Sequence, residues 1–341
     1  MAASPNEDQN DSRLAESKEG LRTPVNQASA TARITSAEAR DALLRSGYLL
    51  EHRLEAVLRR KGWYVEANTA YQDKETAKSR ELDIYALTMR RLGKKPGFVW
   101  AVLLIECVNN SQPLAFITKK PSFAPFHSEE IKLAGLPAKV FVRPEKQWQS
   151  LPDFLAMEEY HHYCRGRVAT QYCSFSKKKD TKQWMASHED LHFDALRTLC
   201  TALEYTGDKF FGSWNFDSSA TEYLNLEFYY PVVVLQGELM EVVAARQSVD
   251  LKAAKHLQYR RSSIWRGEEQ DYQVDVVTEG FFPRYISIVE KELQTTAQRM
   301  QSKRVVVQHS LEKIVTAAKR LRSPEKIRAA MQYKWPGLVI E

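Results

Sequence analysis

Residues 98–107 read Phe-Val-Trp-Ala-Val-Leu-Leu-Ile-Glu-Cys, eight apolar residues without a break and then an acid, Glu106. Alternating apolar and polar residues mark a strand with one wet face, whereas an unbroken apolar run marks one covered on both. This stretch therefore predicts the middle strand of a sheet with helices packed above and below. The acid at its end needs a reason, because a carboxylate buried without a partner is costly.

On its N-terminal side, Trp63-Tyr64-Val65-Glu66-Ala67 predicts one strand. Residues 81–87, in which acidic or aromatic side chains alternate with aliphatic ones, predict a second. A basic turn, RRLGKKPG, leads from there into the central strand. Earlier still, apolar positions from Ala37 to Leu58 recur at spacings of mostly three and four and run into Arg59-Arg60-Lys61-Gly62. That predicts an amphipathic helix, broken near Gly47, with basic residues in its last turn and a glycine cap.

On the C-terminal side the stretch from about 110 to 225 is irregular, with a short strand expected at Lys139–Arg143 and helices near 152–163 and 188–206. Regular order returns with strands at Tyr229–Gly237, Leu239–Ala244 and Tyr272–Val277, then a helix over 283–301. The predicted fold class is α/β, or α+β, around one main sheet. Residues 1–33 lack aromatics and apolar periodicity and are expected to be a disordered leader. Residues 34–302 form the domain, with an insertion at about 110–225, and 303–341 a basic helical tail.

A chain of 341 residues with 43% hydrophobic and 27% charged composition excludes wholly disordered, fibrous or collagen-like proteins. The longest apolar run is far short of the ~20 residues a membrane-spanning helix needs, and the polar, acidic N-terminus is unlike a signal peptide. A cytoplasmic protein without a membrane partner is expected. Cys107, Cys164, Cys173 and Cys200 follow no disulfide or zinc spacing and read as reduced thiols. A net charge of +6 favours a polyanionic partner.

Glu81 and Asp83 lie two apart on one strand and share a face, with Leu82 and Ile84 on the other. In isolation such a pair reads as solvated carboxylates on an open strand face, and Glu51 or Glu55 as decoration of a charged helix. Together with Glu106 they mean more. Carboxylates on adjacent strands, with a main-chain carbonyl beside them, make the oxygen set that Mg²⁺ accepts, and that ion activates water and neutralises phosphodiester charge.

The series formed by Glu51 in LLEHRLEAVLRRKGW, Asp83 in SRELDIYA and Glu106 in LLIECVNNSQP resembles the helix-Glu, Asp, Glu-x-Lys series of the PD-(D/E)xK, or restriction-endonuclease-like, nuclease superfamily. The resemblance covers residues 36 to 115, with the 229–237 strand and its preceding helix completing the core. It implies a restriction-endonuclease-like mixed central sheet flanked by helices, nucleic acid (DNA foremost) as partner, and Mg²⁺ or Mn²⁺ as cofactor. Asp83, Glu106 and the Cys107 carbonyl would hold the ion, Glu51 would assist from the outer shell, and the reaction would be phosphodiester hydrolysis. The sequence departs from the family at one position: Val108 stands where the family has lysine. Lys119 or Lys120, on the following segment, is the expected stand-in. The alternative is a catalytically inactive descendant serving as a nucleic-acid-binding or assembly module.

Three other patterns compete. His188-Glu-Asp-Leu-His192 matches the HExxH zinc-protease pattern, but Ser187 with Asp190 reads as a helix cap, which would put both histidines in the first turn. His161, His162, Cys164 and Cys173 offer zinc ligands at no standard spacing. Lys177-Lys178-Lys179, with Arg165 and Arg167 nearby and aromatics interleaved, suits phosphate contacts and base stacking, or a solvated loop.

Overall fold

The computed structural model describes residues 33–321 apart from 47, 74–75, 95, 121–130, 144, 188–189, 214–223, 246–247 and 266–267. The expected leader up to residue 32 and the end of the expected tail, 322–341, lie outside the described residues. The chain divides into two compact units, Met1–Arg40 and Asp41–Glu341. Thr35, in the first, opens helix α1 (Ser36–Arg45), which runs past the boundary at Arg40. The Thr35 N–H and Oγ1 donate to Glu38 Oε2 at 2.8 and 2.7 Å, and the Glu38 N–H donates back to Thr35 Oγ1 at 3.2 Å.

In the second unit, helix α2 (Tyr48–Arg60) buries Leu50, Leu54 and Leu58 along one face. Its end follows the sequence. Gly62, at φ +78°, lets its own N–H reach the Arg59 carbonyl at 3.0 Å and the Trp63 N–H reach the Leu58 carbonyl at 3.1 Å, a turn-back that a side chain would strain. Strands β1 (Tyr64–Gln72), β2 (Ser79–Arg91) and β3 (Gly97–Val108) follow as an antiparallel meander.

Next come β4 (Leu114–Lys119), β5 (Lys132–Leu136), the hairpin β6 (Lys139–Val142) and β7 (Gln147–Ser150), the one-turn helix α3 (Leu151–Phe154), β8 (Val168–Lys177), β9 (Trp184–Ser187) and helix α4 (Asp190–Ser213). The chain continues through β10 (Leu224–Leu235), β11 (Leu239–Ala245), β12 (Ser248–Ala254), β13 (His256–Trp265), β14 (Glu268–Thr278) and helices α5 (Phe282–Ser302) and α6 (Arg304–Leu321). The fold is mixed α/β: a 12-stranded sheet runs β1-β2-β3-β10-β14-β13-β8-β4-β11-β12, with β5 also pairing β10 and β9 pairing β8.

Strand β3 is the middle strand the sequence predicts. Ala101 to Ile105 are fully buried, β10 runs parallel beside it, and α4 and α5 both pack on it, from opposite faces. Within the stretch 110–225, strands β4, β5, β8 and β9 join the main sheet. Where a helix was expected over 152–163, only α3 and short 3-10 turns form. Helix α6 is docked rather than free: Val307 and Leu311 are fully buried, and Ser310 Oγ accepts the Phe141 N–H at 2.9 Å. No helix among the described residues is long and apolar enough to cross a membrane.

Candidate functional site

Parallel strands β3 and β10 end side by side, and their carboxyl ends are where open α/β sheets place ligands. The turns beyond them are stapled by buried Asn110, whose Nδ2 donates to the Gln112 and Glu238 carbonyls at 2.9 and 3.1 Å while its Oδ1 accepts the Gly237 N–H at 2.9 Å. A Cβ on Gly237 would stand 2.3 Å from the Asn110 carbonyl oxygen, so only glycine permits this approach.

Against this end the register of β2 and β3 pairs Ile84 with Ile105. One step further out, Asp83 faces Glu106 on the opposite side of the sheet from those two isoleucines. Asp83 is tied to the neighbouring strand, the Cys107 N–H donating to Asp83 Oδ2 at 2.7 Å, and its backbone bears on the Glu106 carboxyl, opposing the rise of its pKa. One oxygen stays unsatisfied. Glu106 Oε1 is enclosed and has no hydrogen-bond partner.

Burial pushes the Glu106 carboxyl well above its usual range, and Asp83, Glu51 and Glu81 add to the shift against the Asp83 backbone. Burial also raises Asp83, opposed by the Cys107 N–H. Glu51, in the first turn of α2, is raised to about 7 by burial and then by Asp83, Glu81 and Glu55. The structure thus gathers Glu51, Asp83 and Glu106 into one repulsive constellation, and no cationic side chain is among the groups acting on them. Carboxylates so crowded favour a bound cation over three separate charges. They are not among the described groups of three whose ligand atoms lie within 4.8 Å of one another.

Val108 follows on the Glu106 face, half-buried and packed against the apolar core. Lys119 and Lys120 are not brought to this site. Lys119 closes β4 opposite Val168 of β8, in the other half of the sheet, five residues along the strand from the junction at Leu114. The physical reason is that β4 joins β8 and β11 instead of folding back over β3.

Lys177, Lys178 and Lys179 form the exposed tip of the β8–β9 hairpin, with Lys177 Nζ 5.5 Å from the Trp184 ring centroid. Arg165 is exposed, its Nε–H directed at the Glu158 carbonyl at 3.5 Å. Arg167 is committed inward, donating to Thr118 Oγ1 and the Thr118 carbonyl at 2.8 and 2.6 Å and pairing with Glu241 at 3.3 Å. His188 and the His192 side chain lie outside the described residues.

A second constellation was not legible in the sequence. His162 does not continue a helix beside His161: the latter is extended, and their rings stack 5.2 Å apart. His162 Nδ1 is 2.9 Å from both oxygens of Glu292 on α5, and its Nε2 is 3.0 Å from Asp275 Oδ2 on β14. His256 Nε2 is 2.7 Å from Asp275 Oδ1, and the Tyr285 hydroxyl donates to Asp275 Oδ2 at 2.7 Å. Burial alone would lower His162, but Asp275 and Glu292 outweigh it and raise the imidazole to about 10. His161, whose Nε2 is 3.8 Å from Glu292 Oε2, is lowered by burial to about 4, which Glu292 only partly opposes. Neither Cys164 nor Cys173 joins a convergent group among the described residues. The clue available was Asp275 itself, an acid within the short apolar run Val274–Val277 near the end of β14.

Compared with known proteins, the chain matches no family model, no curated sequence and no solved structure.

Proposed function

We propose that this protein is a restriction-endonuclease-like nucleic-acid-binding protein whose Asp83–Glu106 pair takes up Mg²⁺ or Mn²⁺. The observation that carries the reading is Glu106 Oε1, an enclosed carboxylate oxygen without a partner, beside a second carboxylate and at the end of parallel strands. The run α2, β1, β2, β3, followed after β4–β9 by α4 and β10, with β3 inside the sheet and β10 parallel to it, supports it further. The donors are hard oxygens, Asp83 Oδ, Glu106 Oε1 and the Cys107 carbonyl, which suits Mg²⁺. A bound ion would polarise a phosphodiester and lower the pKa of a water. Asp83 is held for this role by the Cys107 N–H, and Glu51 is poised to share a proton near neutrality. The exposed Lys177–Lys179 hairpin and Arg165 would meet backbone phosphates; Arg167, committed inward, would not.

A second reading, a binding or assembly module without catalysis, is favoured by Val108, which leaves the acidic cluster without a cationic side chain. Calorimetry with Mg²⁺ and Mn²⁺, with cleavage assays on linear, circular and single-stranded DNA, tests both. The enzyme reading expects cation binding and cleavage that Asp83→Asn abolishes. Nucleic-acid binding without cleavage leaves the module, and no binding of either kind removes both.

A further inference from the structure

His162, His256 and Asp275 have no part in the acidic site. Asp275 is in register with Val232 and, through it, Ile105, so it lies on the sheet face opposite Glu106. We propose that His162 Nε2, His256 Nε2 and the Asp275 carboxylate form a second, separate metal site, for a divalent transition ion with Zn²⁺ foremost.

The three ligand atoms lie within 4.8 Å of one another, and Asp275 Oδ1 is 3.2 Å from His162 Nε2 and 2.7 Å from His256 Nε2. Tetrahedral zinc with bonds of ~2.0–2.1 Å sets its ligands about 3.3 Å apart, so opening the His256–Asp275 pair by about half an ångström brings both nitrogen–oxygen separations to that spacing. Two imidazoles and one carboxylate form a borderline donor set suited to Zn²⁺ rather than Mg²⁺. Glu292 fixes the tautomer. A carboxylate only accepts, so His162 Nδ1 keeps its proton toward Glu292, and Nε2, once it gives up its own proton, offers the lone pair, the support that metal-bound histidines commonly have. Tyr285 orients Asp275 in the same way.

A neighbouring set, His161, His162 and Glu292, also converges. There His161 Nδ1 accepts the Tyr163 N–H at 3.2 Å, which puts the ring proton on Nε2, the atom an ion would need. Charge balance points to the chosen set as well. Asp275 and Glu292 are 0% and 4% exposed. One imidazolium offsets one of these carboxylates, whereas a divalent ion with both imidazoles neutral offsets both. The ion would replace the proton on His162 Nε2, which passes to solvent. His162 and His256 line a cavity of about 740 Å³ bordered also by Arg165 and Lys291. Three protein ligands leave a fourth position, and this cavity gives water or an anionic group access to it.

Dialysis of the full chain against Zn²⁺, followed by metal analysis and calorimetry, should find one ion per chain and a higher thermal midpoint. His256→Ala should weaken binding at least about 100-fold, and Glu292→Gln, which removes only the support at Nδ1, by about 10–100-fold. Zn²⁺ uptake should survive Asp83→Asn, and Mg²⁺ uptake His256→Ala, so the two sites fail independently. Should His256→Ala not fold, the wild-type chain decides: Co²⁺ should give the intense visible bands of a four-coordinate nitrogen and oxygen site. No Zn²⁺ uptake by the wild type, binding unchanged in His256→Ala, or only weak octahedral Co²⁺ bands each overturns the site.

Discussion

The Cys107 N–H donates to Asp83 Oδ2 at 2.7 Å, which holds the Asp83 carboxylate beside that of Glu106, one strand away. The last step of the β2–β3 ladder is thus made through a side chain, and two acids are held together where mutual repulsion would part them. Such an arrangement persists because the surrounding sheet fixes it, and it leaves Glu106 Oε1 facing no donor.

Glu106→Gln tests what that oxygen is for. Burial pushes Glu106 toward its neutral form in the metal-free protein, and the amide is neutral and of nearly the same shape. Without divalent cations the thermal midpoint should move by less than about 3 °C, the scale of a change below about 1 kcal/mol. Added Mg²⁺ should stabilise the wild type and not the variant. Equal Mg²⁺ stabilisation of both would remove Glu106 from the ligand set.

Glu51 gives the acidic cluster a pH signature. Its folded pKa of about 7 lies above the ordinary 4.5, so between these values the folded chain binds more protons than the unfolded one. Its contribution is therefore fully present below about pH 4.5 and lost as pH rises through about 7. Since the side chain keeps contact with solvent, the loss should be on the order of 1 kcal/mol after screening. Denaturation at about pH 5 and about pH 8 should show this slope in the wild type, a flatter one in Glu51→Gln, and a flatter one in wild type with Mg²⁺. An identical slope in Glu51→Gln would assign it elsewhere.

The β8–β9 hairpin carries the expected nucleic-acid contact. Changing Lys177, Lys178 and Lys179 to Ala should weaken DNA binding for all sequences alike and reduce the dependence of log affinity on log salt by up to about 3, near one per lost phosphate contact. Arg167→Ala should instead act through stability, because Arg167 is spent on Thr118 and Glu241. A salt dependence unchanged by the triple substitution would take the hairpin out of the footprint.

What could be read from the sequence was local. The apolar run of β3, the alternation of β2 and the Gly62 cap each have a period or a residue type that dictates one conformation, and each formed as read. Lys119 was misplaced because nothing in Leu114–Lys119 says whether that strand folds over β3 or joins β8, a choice made by long-range pairing. His256, Asp275 and Glu292 could not be joined to His162, which the sequence groups with His161, Cys164 and Cys173, for a related reason: the four are spread over more than a hundred residues and meet only through the packing of β14 and α5. The tail around Val307 and Leu311 read as basic because its charges are conspicuous, yet its apolar stripe is what docks it.

Val108→Lys decides between the two functional readings. Val108 shares the Glu106 face of β3 and lies two residues beyond it, so a lysine there would put an ammonium beside the Asp83–Glu106 pair. If the pair is a cation site lacking only that group, Mg²⁺-dependent cleavage should appear or rise by about 10²-fold or more, the scale on which a positioned electrostatic or proton-transfer group acts. The ammonium would be half-buried among carboxylates that lack a counter-charge, so it should lower the raised carboxyl pKa values and flatten the pH dependence ascribed to Glu51. That second readout holds whether or not cleavage appears, and it reports that the side chain has reached the cluster. Asp83→Asn in the same background should abolish any cleavage gained. A flattened pH profile with no cleavage and no Mg²⁺ binding would leave the binding module as the surviving reading, because the lysine would then stand in place beside acids that do nothing with it.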